Sequence, residues 1–272
     1  MQSGFYNATG GMVTQFSRLE MISNNLANLN TNGFKRDDVV IGDYLRLYQT
    51  HKHELPIEGH TREAAKFLNR SLDRVPIISE HYTDKSIGNI VQTENTLDFA
   101  LQESNAYFSI LTPEGVRYTR DGNFSLNSDG VLVNKSGFSV LSRGGITSEG
   151  IIRIPQGQNI ESDKNGNLYM RNNADEIVPI GTLDVVGFEN PRYLKKVGDN
   201  LYEYPQDRLN EKENLSRAIV LQGFLEKSNV NAVREMTALI ETNRLVDMYQ
   251  KVMRSHMDDL NTEAITKLSA RA

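Results

Sequence analysis

The feature that most constrains the fold is a long heptad pattern in residues 231–270. Apolar residues recur there at intervals of seven, at Leu239, Val246, Met253 and Leu260. Further apolar residues flank this series, namely Val233, Met236, Ile240, Tyr249, Met257 and Ala264. A heptad period is typical of a helix that packs along another helix. No Gly or Pro interrupts the segment, and an uninterrupted helix of that length would run roughly 60 Å. Such a helix needs a partner along its whole length.

The N-terminal residues provide a candidate partner. Apolar residues step by three or four positions, which places them on one face of a helix; they are Phe5, Ala8, Met12, Phe16, Leu19, Ile22, Leu26 and Leu29. We expect this helix to end near Asn32 and Gly33, because both residue types tolerate the left-handed conformation that follows many helices. Periodicity alone leaves two interpretations open: two core helices of an ordinary domain, or an assembly device built from both termini.

Composition excludes several classes of protein. A chain of 272 residues with 38% hydrophobic residues can bury a core in one large or two modest domains without covalent cross-links. The formal net charge of -5 does not favour nucleic-acid binding. The chain has no Cys, which excludes disulfides, thiolate metal sites and thiol nucleophiles. Residues 1–30 lack a basic segment followed by an apolar run, so we expect no secretory signal, and no segment approaches the ~20 apolar residues of a membrane span.

The middle of the chain has a different pattern. Between residues 75 and 204, short runs of β-type residues alternate with turn signals such as Asp121-Gly122 and Asp129-Gly130. Regular short strands of this kind are typical of a sandwich or barrel. We therefore predict an α+β fold, in which long N- and C-terminal helices pair as a coiled-coil-like arm and a mostly antiparallel β domain is inserted between them. The predicted segments are an N-terminal assembly helix (1–36), an extended connector or surface excursion (37–75), the β domain (76–204), a return segment (205–230) and a C-terminal assembly helix (231–272).

No catalytic constellation stands out. The histidines His51, His53, His60 and His81 are not accompanied by further ligands at a recognised metal spacing, and loop histidines in solvent are the simpler interpretation. The pair Gly144-Gly145 lacks the Gly-Lys-Ser/Thr of a phosphate-binding loop, and residues 163–167 do not continue as a calcium loop. We therefore expect neither a catalytic residue, a cofactor nor a metal, and we interpret the chain as a structural or binding protein rather than an enzyme.

Both ends of the chain carry recognisable motifs. Residues 23–36 read Ser-Asn-Asn-Leu-Ala-Asn-Leu-Asn-Thr-Asn-Gly-Phe-Lys-Arg, and residues 221–231 read Leu-Gln-Gly-Phe-Leu-Glu-Lys-Ser-Asn-Val-Asn. These segments resemble the N- and C-terminal signatures of the flagellar basal-body rod and hook proteins. Segments 93–101, 118–124, 188–191 and 198–202 are similar to landmarks of the β domain in that family. One stretch departs from it: residues 103–108 read Glu-Ser-Asn-Ala-Tyr-Phe where the family has Gly-x-Gly-Phe-Phe.

Chain length and landmarks resemble the longer rod members, the FlgF/FlgG type, and the region after Arg36 favours FlgF over FlgG. The resemblance implies a structural axial subunit of the basal-body rod that polymerises helically through its terminal helices and transmits torque across the periplasm. It implies export through the flagellar type III apparatus without a cleavable signal peptide. Implied partners are copies of itself, other rod subunits, and the hook and surrounding ring proteins, with no nucleic acid and no direct membrane insertion. The alternative is a soluble single-domain binding module whose terminal helices complete a closed core, and a metal-dependent enzyme is a distant third.

We predict that the assembly interface lies on the two terminal helices. The residues are Leu19, Ile22, Asn24, Asn25, Leu26, Asn28, Leu29, Leu239, Val246, Met253 and Leu260. The leucines and the other apolar side chains would pack between helices, and the three asparagines would hydrogen-bond between subunits. For the asparagines, local capping and turn formation is the alternative.

Overall fold

A computed structural model describes residues 2–43, 76–143, 150–155, 158, 160–171, 176–215 and 219–269. These residues form two compact units. The first contains the described residues of 1–26, 37–82 and 232–272. The second contains residues 27–36 and the described residues between 83 and 231. Both units are discontinuous in sequence, because the chain passes from the first to the second and back.

The helices lie at the two ends of the chain. Helix α1 spans Gln2–Ala27 and α2 spans Ala232–Ser269. The prediction of a helix at each end of the chain is thus confirmed. The predicted end of the first helix near Gly33 was wrong, because after Ala27 the chain continues in tight turns, in which the N–H of Thr31 donates to the carbonyl of Asn28. Among the described residues, no helix has a stretch that is long and apolar enough to span a membrane.

Two strands accompany the helices in the first unit. They are β1 (Asp37–Asp43) and β2 (Pro76–Thr83), and they pair as a two-stranded sheet. Strand β1 lies at the start of the segment that the sequence predicts to be an extended connector. The rest of that segment, residues 44–75 with His51, His53 and His60, lies outside the described residues.

The second unit contains sixteen short strands among the residues described. They are β3 (Ile90–Gln92), β4 (Phe99–Leu101), β5 (Ala106–Thr112), β6 (Gly115–Thr119), β7 (Ser125–Leu126), β8 (Leu132–Val133), β9 (Ser139–Val140), β10 (Ile160–Ser162), β11 (Asn167–Arg171), β12 (Ile177–Thr182), β13 (Val185–Phe188), β14 (Lys195–Gly198), β15 (Leu201–Glu203), β16 (Lys212–Asn214), β17 (Val220–Gln222) and β18 (Phe224–Glu226). Two 3-10 helices, Pro191–Tyr193 and Gln206–Glu211, interrupt the strands.

The largest sheet of the second unit has nine strands. Its main path runs β14-β15-β6-β5-β9-β8-β7, and β13 pairs with both β5 and β16. Smaller sheets are β10-β11-β12, β17-β4 and β18-β3. The strand pairs described in the second unit are all antiparallel. The prediction of terminal helices with a mostly antiparallel β region between them is therefore confirmed. Whether the helices pack as a regular coiled coil stays a prediction.

Strand β5 separates two apolar clusters of the second unit. Phe108 and Ile110 belong to the larger cluster, whereas Tyr107 belongs to a mainly aromatic one. This division follows from the alternation of side chains along a strand. In the aromatic cluster the rings of Phe188 and Tyr204 stack with centroids 4.4 Å apart. Because both faces of β5 are covered, this strand is the centre of the unit's core.

Gly33 is held in a conformation and a space that only glycine fits. Its φ is +67°, and a Cβ at this position would lie 2.5 Å from the carbonyl carbon of Arg120 and 2.6 Å from the backbone nitrogen of Asp121. Both neighbours are backbone atoms, which cannot rotate away as a side chain could. The Asn-Gly signal therefore marks a close approach of two backbone segments instead of the end of a helix.

We expect Gly33→Ala to lower the free energy of unfolding of the second unit by more than about 3 kcal/mol, because strain at positive φ adds to overlap with backbone. The matched control is Gly137→Ala, since Gly137 has a φ of +82° but no atom within 4 Å of an added Cβ. Strain alone should cost the control about 1 to 2 kcal/mol. Urea denaturation followed by tyrosine fluorescence measures both. Equal losses in the two variants would contradict the close approach at Gly33.

Candidate assembly site

Helices α1 and α2 contact each other at three levels within the first unit. Asn25 donates from Nδ2 to Oε2 of Glu235 at 3.3 Å, and Thr9 donates from Oγ1 to Sδ of Met253 at 3.5 Å. Between these levels the backbone of Gly11 lies against the ring of Tyr249, where an added Cβ would be 2.5 Å from two ring carbons. As the residue number falls along α1 it rises along α2, so the two helices run antiparallel. These three contacts lie within one chain, and the predicted pairing of the two helices as a coiled-coil-like arm stays a prediction.

The contact face of α2 follows the heptad spacing of four and three residues. We call its positions the α2 seam: Glu235, Leu239, Thr242, Val246, Tyr249, Met253 and His256, all buried or half-buried. The predicted residues Leu239, Val246 and Met253 lie on this seam, and Val246 is 5% exposed. The side chain of Leu260 lies outside the described ones. Every second seam position is Glu, Thr, Tyr or His, so half of the heptad core is polar.

The contact face of α1 has the same spacing and even smaller or more polar residues. We call its positions the α1 seam: Ala8, Gly11, Gln15, Arg18, Ile22 and Asn25, all buried or half-buried. Ile22 is buried as expected for an interface residue, and Leu19 and Leu26 beside it are half-buried. Phe16, which the apolar stripe places on the inner face, is instead 44% exposed. Gly11 lies against Tyr249 of α2 and Ala8 is buried, so small residues occupy the inner face where the larger Phe16 was expected.

The asparagines of the predicted interface make contacts inside the chain. Asn25 is 1% exposed. Its Nδ2 donates to the carbonyl of Asp37 at 2.8 Å, and its Oδ1 accepts from the N–H of Asp37 at 3.0 Å. Asn28 accepts from the hydroxyl of Thr31 at 3.1 Å, within the turn that follows α1. Asn24 is exposed, and Leu29 is half-buried in the second unit. The role of these residues between subunits stays a prediction.

Large apolar side chains face away from the seams. On α1 we call Val13 and Phe16 the α1 outer patch, and on α2 we call Val233, Met236 and Ile240 the α2 outer patch. Val233 is 74% exposed, and the other four are 44% to 57% exposed. The α2 outer patch has a spacing of three and four residues, which puts its members on one stripe. Sequence reasoning assigned these residues to the flanks of the heptad. The spacing of Val233, Met236 and Ile240 by three and four residues, separate from the heptad series, was the signal of a second apolar face on α2.

A buried charge cluster lies in the second unit, where the two sequence signatures meet. Oε1 of Glu226 is 2.5 Å from Nζ of Lys35, and its Oε2 accepts from Nε of Arg120 at 2.8 Å. All three side chains are at most 1% exposed. Sequence reasoning missed this cluster, although each residue lies in a quoted motif. Charged residues are usually solvated, so the motifs alone gave no reason to place the three together.

Backbone groups complete the cluster. Nζ of Lys35 donates to the carbonyl of Ser86 at 2.6 Å, and Oε1 of Glu226 accepts from the N–H of Gly88 at 2.9 Å. The guanidinium of Arg120 donates to three carbonyls, those of Leu101, Glu103 and Ala106. Next to it, the N–H of Gly33 donates to the carbonyl of Glu226 at 2.7 Å, and the N–H of Arg36 donates to Oδ1 of Asn229 at 2.7 Å. The N- and C-terminal signatures are therefore cross-linked by main chain and side chain.

The cluster contains two cations and one anion. Burial lowers the pKa of Lys35, and the nearby guanidinium of Arg120 lowers it further, while Glu226 and Asp84 oppose the shift. Burial also raises the pKa of Tyr107 to about 12. In the described ranges no group of three or more His, Asp or Glu side chains could hold a metal. The arrangement fits a structural clamp that fixes the two signatures to each other.

We expect Glu226→Gln to reduce the free energy of unfolding of the second unit by about 3 to 5 kcal/mol, because it leaves two buried cations without their anion. Glu203→Gln is the matched control. It removes an anion 3.3 Å from Arg117 that is 44% exposed, and such exposed pairs contribute at most about 1 kcal/mol. Chemical denaturation of both variants gives the comparison. A loss below 1 kcal/mol for Glu226→Gln would show that the clamp does not stabilise the unit.

The lowered pKa of Lys35 predicts a pH dependence of stability. Between that lowered value and the ordinary value of 10.5, the unfolded chain binds the proton and the folded chain does not. The free energy of unfolding should therefore rise with pH in this window. Lys35→Met should remove this rise. The difference between wild type and variant, measured by urea denaturation from about pH 8 up to the ordinary lysine pKa of 10.5, isolates Lys35, because the titration of the tyrosines is common to both proteins. Parallel pH profiles would contradict the assignment.

Comparisons with known proteins agree with the motifs. Three family descriptions match the chain: "Flagella basal body rod protein" over residues 5–35, "Flagellar hook protein FlgE/F/G D1 domain" over residues 103–170, and "Flagellar basal body rod FlgEFG protein C-terminal" over residues 221–266. The first and last of these include Lys35 and Glu226, and they cover most of α1 and α2. The middle match includes Arg120. The assembly helices and the clamp therefore belong to the segments that characterise the family.

Curated relatives match over nearly the whole chain. The flagellar basal-body rod protein FlgG of Agrobacterium fabrum is 32% identical over 255 residues, which cover 90% of this chain and 92% of the relative. The FlgG protein of Bacillus subtilis is 30% identical, with 93% and 94% covered. The FlgF protein of Mesorhizobium japonicum is 30% identical over 272 residues and covers both chains completely. Relatives of both names match, so the preference for FlgF stays a prediction. With its two helix signatures, its β region and these relatives, the chain belongs to the flagellar basal-body rod protein family, a family of structural proteins and not of enzymes.

Proposed function

We propose that this rod subunit polymerises through its two terminal helices, which pair within each copy and pack against the helices of neighbouring copies. One observation carries the proposal: about half of the seam positions between α1 and α2 are polar, whereas large apolar side chains lie on the outer faces. This is the reverse of what a helix pair that stays in water requires. The outer patches therefore look like surface that is covered in the assembled rod.

The energetics favour burial of the outer patches in an assembly. Complete burial of a Val, Ile, Met or Phe side chain contributes roughly 1.5 to 3 kcal/mol. Four of the five residues in the two patches are already about half covered, so the gain that remains for them is smaller, but each copy in a polymer uses both patches. Repetition along the polymer then adds these contributions. A single closed binding module, the alternative, gains nothing from leaving Val233 exposed.

The proposal extends to position and partners. We propose that the protein contacts copies of itself and other rod subunits along the axis, with hook and ring proteins as further neighbours, and that the assembled rod crosses the periplasm and transmits torque. Export through the flagellar type III apparatus without a cleavable signal peptide accompanies this proposal. The relatives' description as basal-body rod proteins supports the location at the basal body. In this scheme residues 1–36 and 231–272 are the assembly segments and residues 76–204 form the β layer.

Sedimentation velocity of the full chain over a range of concentrations tests the proposal. Wild-type protein should form larger species as concentration rises, and Ile240→Asp should weaken this association at least tenfold without loss of helical circular dichroism. Ser255→Asp is the matched control, because it adds the same charge at an exposed position of the same helix outside the patch. If wild type stays monomeric with fully formed helices at every concentration, the closed-module alternative is favoured and the proposal is wrong.

Val246→Asp tests the intramolecular part of the scheme. Val246 is a buried seam residue, so an Asp there should separate α2 from α1, lower the helical signal and abolish assembly. The second unit contains neither helix seam, and its unfolding transition should be retained. If the β transition disappeared together with the helical signal, the helices and the β region would form one cooperative core. That result would contradict the proposed separate assembly arms.

A further inference from the structure

We infer that the outer patches bind each other between neighbouring copies: the α1 outer patch of one copy packs against the α2 outer patch of the next. The inference rests on the proposed function and goes beyond it, since it assigns the two halves of the contact. It also states that unlike surfaces meet. The partner is a second copy of this chain.

The first argument is the placement of the patches around the helix pair. Successive residues of a helix turn by about 100°. By that measure Val13 and Phe16 lie on the side of α1 opposite to its seam, and Met236 and Ile240 lie on the side of α2 turned away from its seam. One copy thus presents two different apolar patches on the two outer sides of a two-helix layer. When the α1 outer patch of one copy binds the α2 outer patch of a second copy, the α2 outer patch of the first copy stays open for a third copy.

The second argument is symmetry. A patch that binds its own equivalent makes an isologous contact, which closes at a dimer. A contact between unlike patches is heterologous and continues into a ring or an open helical polymer. A subunit of a rod that polymerises needs contacts of the second kind. The α1 outer patch and the α2 outer patch are two distinct surfaces on one helix pair, so they can form such a heterologous contact.

The third argument is charge. Glu20 is exposed one helical turn after Phe16, on the outer side of α1. Arg244 is exposed one turn after Ile240, and Lys251 lies on the same side of α2. Asp247 lies between these two, and the outer side of α2 keeps a positive balance. Contact between unlike patches brings Glu20 towards the basic side of α2, whereas like patches would bring charges of the same sign together.

Cysteine cross-linking tests the inference directly, because the chain has no native Cys. We would prepare the full-length variants Phe16→Cys and Ile240→Cys, oxidise each alone and in a one-to-one mixture with copper phenanthroline, and count disulfide dimers on a non-reducing gel. A disulfide forms only when the two Cα atoms approach to within about 7 Å. The mixture should give at least ten times more dimer than either variant alone. The double variant Phe16→Cys/Ile240→Cys should give a ladder of higher multimers.

Glu241→Cys in place of Ile240→Cys is the matched control, since the neighbouring residue is exposed and points about 100° away around the helix. It should give no more dimer with Phe16→Cys than background. Efficient dimer formation by either single variant alone would show an isologous contact and overturn the inference. If the wild-type chain assembles in sedimentation but the mixture gives no cross-link, the inference fails and the proposed function stands. If the wild-type chain does not assemble and the mixture gives no cross-link, both fail.

Discussion

The carboxylate of Glu226, buried between Lys35 and Arg120, is the interaction on which the second unit most depends. It joins residues 191 positions apart in the chain, so it closes a very long loop at a high entropic cost. The enclosed ions have also lost their hydration, and only complete hydrogen bonding makes such burial tolerable. The backbone of Ser86 and Gly88 and the three carbonyls around Arg120 supply that bonding. Because each charged group has several fixed hydrogen-bond partners, the cluster can adopt only one geometry. It therefore holds the N- and C-terminal signatures in one fixed arrangement.

The first unit follows a different rule. In most helix pairs the apolar stripe faces the partner, but here the seam contains Glu235, Thr242, Gln15 and Asn25. Thr242 Oγ1 and Gln15 Oε1 are buried and make no hydrogen bond with the described residues. Polar seam residues specify register at a cost in stability. The pair thus gives up part of its own stability, and the apolar surface it leaves outside is available to neighbouring copies. This is consistent with a subunit whose stable state is the assembly.

The two units also divide the work of the chain. The β unit has two buried clusters on either side of β5 and a charge clamp, so it can be stable by itself. The helix pair has a thin, half-polar seam and exposed apolar patches. Under the proposed function this division is useful, because the stable unit would keep each copy folded while the less stable unit would form the contacts between copies.

The sequence by itself determined a helix at each end of the chain, the β region between the helices and the family, and it put Leu239, Val246 and Met253 on one stripe of α2. These are local or periodic properties, and a heptad or an Asp-Gly turn acts through neighbours in sequence. Only the tertiary structure decided which face of α1 is inner, because that depends on how closely Gly11 lets the ring of Tyr249 approach. It also decided the role of Gly33 and the meeting of Lys35, Arg120 and Glu226. Those contacts join residues far apart in the chain, and a charged residue that will be buried looks, in the sequence, like any residue in solvent.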